Sequence, residues 1–247
     1  MTEKLLYVGL DADEQSGNID LVHQLSDSGA DPSTQTEGVD FGFKLNLDHA
    51  LIWGREYIET IVNADRPVFV DLKMNNGSRT MGNVVRWLGD IGVAHTNVWA
   101  QADSNLAKTV EAVAQIEDRP AILAVTSYTR WDDNYARKHH NMSSDEMVRH
   151  WSQVGVDSGA DGIILPGNRL QAVAGIDTIK VNPAIRMDGV VTKSKQEQTS
   201  TPYDAIMQGS DVLVVGSPIY GAEDPVQALR EHMVEMSRAV SDLAAAA

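Results

Sequence analysis

Asp71 and Lys73 stand two residues apart at the end of an apolar run, PVFVDLK. On a β-strand that spacing turns both side chains to the same side, so a carboxylate and an ammonium share one pocket. A second lysine, Lys44, stands near the end of the run VDFGFKL, two residues before Asn46, while Asp11 follows LLYVGL. Alternating ammonium and carboxylate groups offset one another's cost of burial. Such an array displaces pKa values and suits a lysine acting as general acid. A structural ion pair closing the top of a fold would draw on the same residue types, and Asp11 taken alone reads equally well as a helix cap. The 247 residues contain no cysteine, which excludes disulfides, thiolate metal sites and cysteine nucleophiles.

The elements that must position these groups alternate along the whole chain. Short apolar runs predict strands near 5–10, 39–45, 67–72, 94–99, 120–126, 161–165, 177–181 and 211–215. Helical stretches are expected at 48–62, 80–91, 104–116, 144–158 and 225–243. In the second of these Met81, Val84, Val85 and Leu88 recur at helical spacing and form one buried face. Eight strands alternating with helices imply a parallel sheet, and eight units close best as a single (β/α)₈ barrel spanning 1–247, a length usual for that α/β architecture. A doubly wound open sheet is the competing fold, but no glycine-rich dinucleotide loop follows the first strand. Residues 27–38 read as a solvated loop, and 187–202 sit where an active-site lid would lie. The polar stretch DDNYARKHHNMSSDE reads as a mobile basic loop over the barrel mouth. Its adjacent His139 and His140 would point in different directions on a helix, whereas metal ligands converge, so no metal is expected. Trp87 and Trp151 fall in helical segments and are expected to pack helix against barrel.

In such a barrel the chemistry lies at the carboxyl ends of the strands. Besides the four charged groups, those positions hold Asn97, Ser127, Pro166-Gly167, Asn182 through Arg186 and Gly216-Ser217. The net charge of −15 makes nucleic acid and anionic membranes poor partners. It fits adaptation to a saline environment or simple solubility. A phosphate-bearing substrate would need a local basic exception to that field. The N-terminal apolar run is only six or seven residues long, short of a signal sequence or of the about 20 residues that span a bilayer, so a cytoplasmic protein is expected.

The segment FVDLKMNNGSRT resembles the D-x-K-x-x-D motif of the orotidine 5′-phosphate decarboxylase superfamily. VGLD at 8–11, FGFKLN at 41–46, NPAIR at 182–186, KQEQTSTP at 195–202 and DVLVVGSPIYGAEDP at 211–225 resemble other parts of the family's pattern, in the correct order. The resemblance implies decarboxylation of orotidine 5′-phosphate to uridine 5′-phosphate in pyrimidine biosynthesis, without metal or organic cofactor. It makes Lys73 the proton donor, Asp71 the neighbour of the departing carboxylate, and Lys44 part of the charged array. Asp11 would bind ribose hydroxyls, Thr80 would reach the ribose from a neighbouring subunit, and Gln196 would reach phosphate and base. Ser127, Arg186, Gly216 and Ser217 complete the expected substrate contacts, and a homodimer with shared active sites follows. Three positions depart from the pattern. Asn76 stands where the motif ends in aspartate, Ser217 where an arginine grips phosphate, and Trp99 where a histidine is usual. A diverged barrel acting on another small phosphorylated substrate, or a silent ligand-binding barrel, are the alternatives. Lys44 stands where the superfamily's magnesium-dependent members usually carry glutamate, which favours the decarboxylase branch.

Overall fold

A computed structural model of the chain describes residues 3–26, 36–187 and 200–246. Eight parallel strands close into a barrel in chain order. The first half runs β1 (Lys4–Leu10), α1 (Gln15–Ser26), β2 (Val39–Asn46), α2 (Leu47–Ile52), α3 (Gly54–Val62), β3 (Val68–Met74), α4 (Ser78–Gly89), β4 (His95–Trp99) and α5 (Ser104–Val113). The second half runs β5 (Ala121–Val125), α6 (Asp133–His140), α7 (Ser144–Asp157), β6 (Gly162–Ile164), β7 (Ile179–Pro183), α8 (Pro202–Met207), β8 (Val212–Val215), α9 (Ser217–Tyr220) and α10 (Pro225–Ala246). Closure from β8 back onto β1 leaves no open edge, which settles the choice between barrel and open sheet.

Side-chain alternation divides each strand between two hydrophobic layers. Leu6, Val8 and Leu10 of β1, Ile122 and Ala124 of β5, and Leu213 and Val215 of β8 face outward into the shell between barrel and helices. Tyr7, Phe69, Leu123, Val125, Val212 and Val214 face inward and fill the barrel interior. Gly42 makes room for this filling, since a Cβ there would stand 2.2 Å from the Pro67 carbonyl oxygen and 2.9 Å from the Tyr7 ring. Deep in the barrel the Tyr7 hydroxyl hydrogen-bonds His95 Nδ1 at 2.6 Å. Burial pushes the His95 imidazole down to about 4, so it is neutral at pH 7.

Two expectations from the sequence are corrected. The stretch at 48–62 is two helices, broken where Gly54 takes φ 69°. Residues 133–140 form α6 rather than a loop. The Asp132 side chain accepts from Tyr135 N at its start, and Asn141 adopts a left-handed φ of 54° at its end. Basic residues 137–140 occupy its last turn, where they complement the helix dipole. With only Ala136 buried, α6 has no apolar stripe to reveal it in sequence. Trp87 and Trp151 pack partly buried against the core. Most of 27–38 and 187–202 lies outside the described residues, so the lid expectation does too. No helix among the described residues is long and apolar enough to cross a membrane.

Candidate active site

The inward-facing register that fills the barrel with hydrocarbon turns polar toward the strands' carboxyl ends. Continuing it two residues at a time leads from Tyr7 through Gly9 to Asp11, and from Gly42 through Lys44 to Asn46. It likewise leads from Phe69 to Asp71, from His95 through Asn97 to Trp99, and from Val125 to Ser127. These side chains converge because eight strands aim the same register at one mouth. That mouth is a cavity of about 460 Å³, lined by Asp11, Lys44, Asp71, Lys73, Asn97 and Ser127 among others.

An alternating chain of charge crosses its floor. Lys73 Nζ donates to both oxygens of Asp71 at 2.6 Å. Lys44 Nζ stands 3.8 Å from Asp71 Oδ2 and 3.7 Å from Asp11 Oδ1, and hydrogen-bonds Asn46 Oδ1. Asn46 Nδ2 in turn donates to Asp11 Oδ1 at 2.7 Å. The Asp71 side chain is 11% exposed and Lys44 is 8% exposed, whereas the Lys73 side chain is 33% exposed and reaches toward solvent. Burial alone would raise the Asp71 carboxyl. Lys44 and Lys73, with hydrogen bonds from Lys73 and Asn97, outweigh it and hold that carboxyl below its ordinary range.

Simple alternation does not account for Lys73. Pairing of β3 with β4 is irregular between Val70 and Met74, and Lys73 adopts φ 46°. A left-handed non-glycine residue costs about 1–3 kcal/mol and persists only where its surroundings fix it. Asn97 does so from β4. Its Oδ1 accepts from Lys73 N at 2.6 Å, and its Nδ2 donates to Asp71 Oδ1 at 2.7 Å. One buried amide therefore fixes both the bulge and the carboxylate. The sequence marked Asn97 only as a strand-end polar residue. On the far side of the mouth Ala184 takes φ 66° in the turn after β7.

Arg186, Gly216 and Ser217 line the same cavity. A Cβ on Gly216 would stand 3.0 Å from Asp11 Oδ2, so glycine leaves room for that carboxylate. Two expected site residues lie elsewhere. Asn76 is exposed, with its Oδ1 accepting from Gly77 N at 2.7 Å, and Thr80 is exposed in the first turn of α4; neither lines the cavity. Gln196 lies outside the described residues. Tyr128, Thr129 and Arg130 also line the cavity, and the polar sequence around them gave no sign of it. Residues 133–140, expected as a basic cover over the mouth, are not among its lining residues. Among the described residues no group of three or more His, Asp or Glu side chains is clustered as metal ligands would be.

The lining carries four basic side chains (Lys44, Lys73, Arg130, Arg186) against two acidic ones (Asp11, Asp71). The described wall is thus net positive within a protein of net charge −15. Such a cup attracts an anionic ligand and offers a partly exposed ammonium to its reacting end.

Comparisons with known proteins point the same way. A sequence profile described as the orotidine 5′-phosphate decarboxylase / HUMPS family matches residues 4–232. The chain is 30% identical over 209 residues to the orotidine 5′-phosphate decarboxylase of Syntrophus aciditrophicus (strain SB), covering 81% of this chain and 83% of that one. It is 31% identical over 193 residues to the enzyme of the same name from Streptococcus thermophilus (strain ATCC BAA-491 / LMD-9), covering 76% and 82%. Among solved structures, the orotidine 5′-phosphate decarboxylase of Lactobacillus acidophilus matches with a TM-score of 0.76 at 25% identity, over 95% of this chain and 99% of that one.

Proposed function

Because the chain belongs to the orotidine 5′-phosphate decarboxylase / HUMPS family, we propose that it is a carboxy-lyase converting orotidine 5′-phosphate to uridine 5′-phosphate in pyrimidine biosynthesis. The observation that carries this reading is the Asp11–Lys44–Asp71–Lys73 array at the floor of a net positive cavity. The bond between the pyrimidine ring and its carboxylate breaks, carbon dioxide leaves, and the bonding electron pair stays on the ring carbon. Lys73 Nζ, fixed by Asp71, stabilises that charge without reorganisation and then delivers its proton to the carbon. Asp71, held ionised, stands beside the departing carboxylate. Binding of the remote phosphate supplies the energy that keeps the reacting end in place. Asp11 takes the ribose hydroxyls, Ser127 the base, and Arg186, Gly216, Ser217 and Gln196 the phosphate end.

Asn76 and Thr80 complete the site from a second copy of the chain in this reading. Their exposure supports it, as do Leu51 and Ile52 of α2, exposed at 74% and 73% in the same sector of the rim. The reading carries a cytoplasmic location and requires no metal or organic cofactor.

The test is loss of the ultraviolet absorbance of orotidine 5′-phosphate on addition of the protein. Turnover is expected, with Lys73→Ala lowering it by at least about 10²–10⁴-fold, the range for loss of a general acid. Asn76 and Ser217, which depart from the resembled pattern, motivate two other outcomes. Binding of uridine 5′-phosphate without turnover would make the protein a silent ligand-binding barrel. No binding at all would assign it another phosphorylated substrate.

A further inference from the structure

The turn after β5 presents a cation that the chemistry above leaves unused. Trp131 N donates to the Tyr128 carbonyl at 3.1 Å, closing a four-residue turn with Arg130 at its third position. Both ends of the turn are aromatic, and both rest on Trp99 of β4. Tyr128 meets Trp99 edge-on at 4.6 Å, and Trp131 stacks on it at 5.5 Å. Trp131 stacks in turn on Tyr135 of α6, at 4.3 Å and 11° between planes. Ser127 Oγ donates to the Tyr128 carbonyl at 3.1 Å from the other side. This ladder fixes the backbone of 128–131 by packing, and it sets Tyr128, Thr129 and Arg130 in the cavity wall.

Arg130 forms no ion pair or hydrogen bond with any described residue, whereas Lys44 and Lys73 are matched to Asp11 and Asp71. It is therefore a guanidinium held at the mouth by its turn alone, with its donors free for a ligand. Its place in the ring matters. Strands β5, β6 and β7 are consecutive, so the turns bearing Arg130 and Arg186 flank β6. In an eight-strand ring β6 faces β2, which carries Lys44 and borders the strand of Asp71 and Lys73. Arg186, given to the phosphate end in the proposed function, and Arg130 thus both line the sector of the mouth around β6. A planar fork with parallel N–H donors matches phosphate oxygens two at a time.

We propose that Arg130 is a phosphate-clamping residue of this site, a specificity determinant that selects a phosphorylated ligand over its unphosphorylated counterpart. The proposal rests on the nucleotide reading of the cavity. The Trp99–Trp131–Tyr135 stack is the positioning device, because it fixes the turn before any ligand arrives and so lowers the ordering cost of the clamp.

Calorimetric titration of the wild type, Arg130→Gln and Arg130→Lys with uridine 5′-phosphate, uridine and inorganic phosphate tests this. Arg130→Gln should weaken uridine 5′-phosphate by roughly 10- to 100-fold, the scale of one lost charge-assisted contact. Uridine should bind both proteins alike, and Arg130→Lys, which keeps the charge but not the fork, should fall between. The side chain is exposed, so circular dichroism and the melting temperature should match wild type. Equal loss for uridine and its phosphate, or no loss for either, would overturn the assignment. A wild type that ignores uridine 5′-phosphate but binds inorganic phosphate in an Arg130-dependent manner would overturn the pyrimidine reading and uphold the clamp. A wild type that binds none of the three would overturn both.

Discussion

Replacing Asp71 with asparagine removes the one negative charge that stands between two lysines while keeping the side chain's size. In the folded protein that carboxylate lies 2.6 Å from Lys73 Nζ and 3.8 Å from Lys44 Nζ. At an effective dielectric constant of about 20, an ion pair at these separations is worth about 6 and about 4 kcal/mol respectively. The first is discounted because the Lys73 side chain is 33% exposed and partly screened by water. The cost of desolvating an 11% exposed carboxylate offsets much of the remainder. What survives is the penalty of leaving Lys44 buried with Asp11, at 3.7 Å, as its remaining carboxylate, a net loss of about 1–3 kcal/mol at pH 7. Urea unfolding followed by tryptophan fluorescence measures it directly. The pH dependence sharpens the test. A carboxyl held below its unfolded pKa of about 3.9 contributes fully above that value, and its contribution is lost as pH falls through the depressed native value. The gap between wild type and Asp71→Asn should therefore be constant from pH 8 to about pH 5 and narrow below about pH 4. Equal unfolding free energies at pH 7, or a gap that does not change in acid, would refute the idea that Asp71 is a buried, ionised hub.

Asn97→Ala should destabilise the protein by roughly 1–3 kcal/mol, because Lys73 N and Asp71 Oδ1 both lose a buried partner. It should also lower turnover without abolishing it, since the Lys73 backbone at φ 46° loses its brace; full activity and stability in the variant would show that the bulge holds itself. For His95, the native imidazole titrates at about 4 and the unfolded one near about 6.5. As pH falls from about 6.5 toward about 4 the unfolded chain takes up a proton that the native state refuses, and about 3 kcal/mol of stability is lost over that window. His95→Gln should flatten this part of the stability profile measured by denaturation at stepped pH, and an unchanged slope would place the acid sensitivity elsewhere.

The match between sequence and structure is closest where periodicity governs. The eight apolar runs are the eight strands, and counting in twos from Phe69 or Tyr7 places Asp71 and Asp11 on the inner face without reference to coordinates. Helix α4 follows its apolar spacing at Met81, Val85 and Leu88, all fully buried. The signal fails where local geometry or distant packing decides. Helix α6 is invisible to periodicity because its caps, at Asp132 and Asn141, and an aromatic stack hold it rather than an apolar face. A break such as Gly54 is one φ angle inside a pattern that otherwise reads as continuous.

Residue type and strand alternation therefore determined the fold, the inward register and the identity of the charged groups, because those properties depend on neighbours one to four positions away. Only the tertiary structure decided how the groups meet. Asp71 to Asn97 is a contact across 26 positions and Asp11 to Asn46 one across 35, and both exist because barrel closure sets the register of adjacent strands. The left-handed turn at Lys73 and the placement of Arg130 at the mouth belong to the same class. Each is fixed by a residue on another strand, Asn97 in one case and Trp99 in the other, and no local pattern encodes which distant side chain that will be.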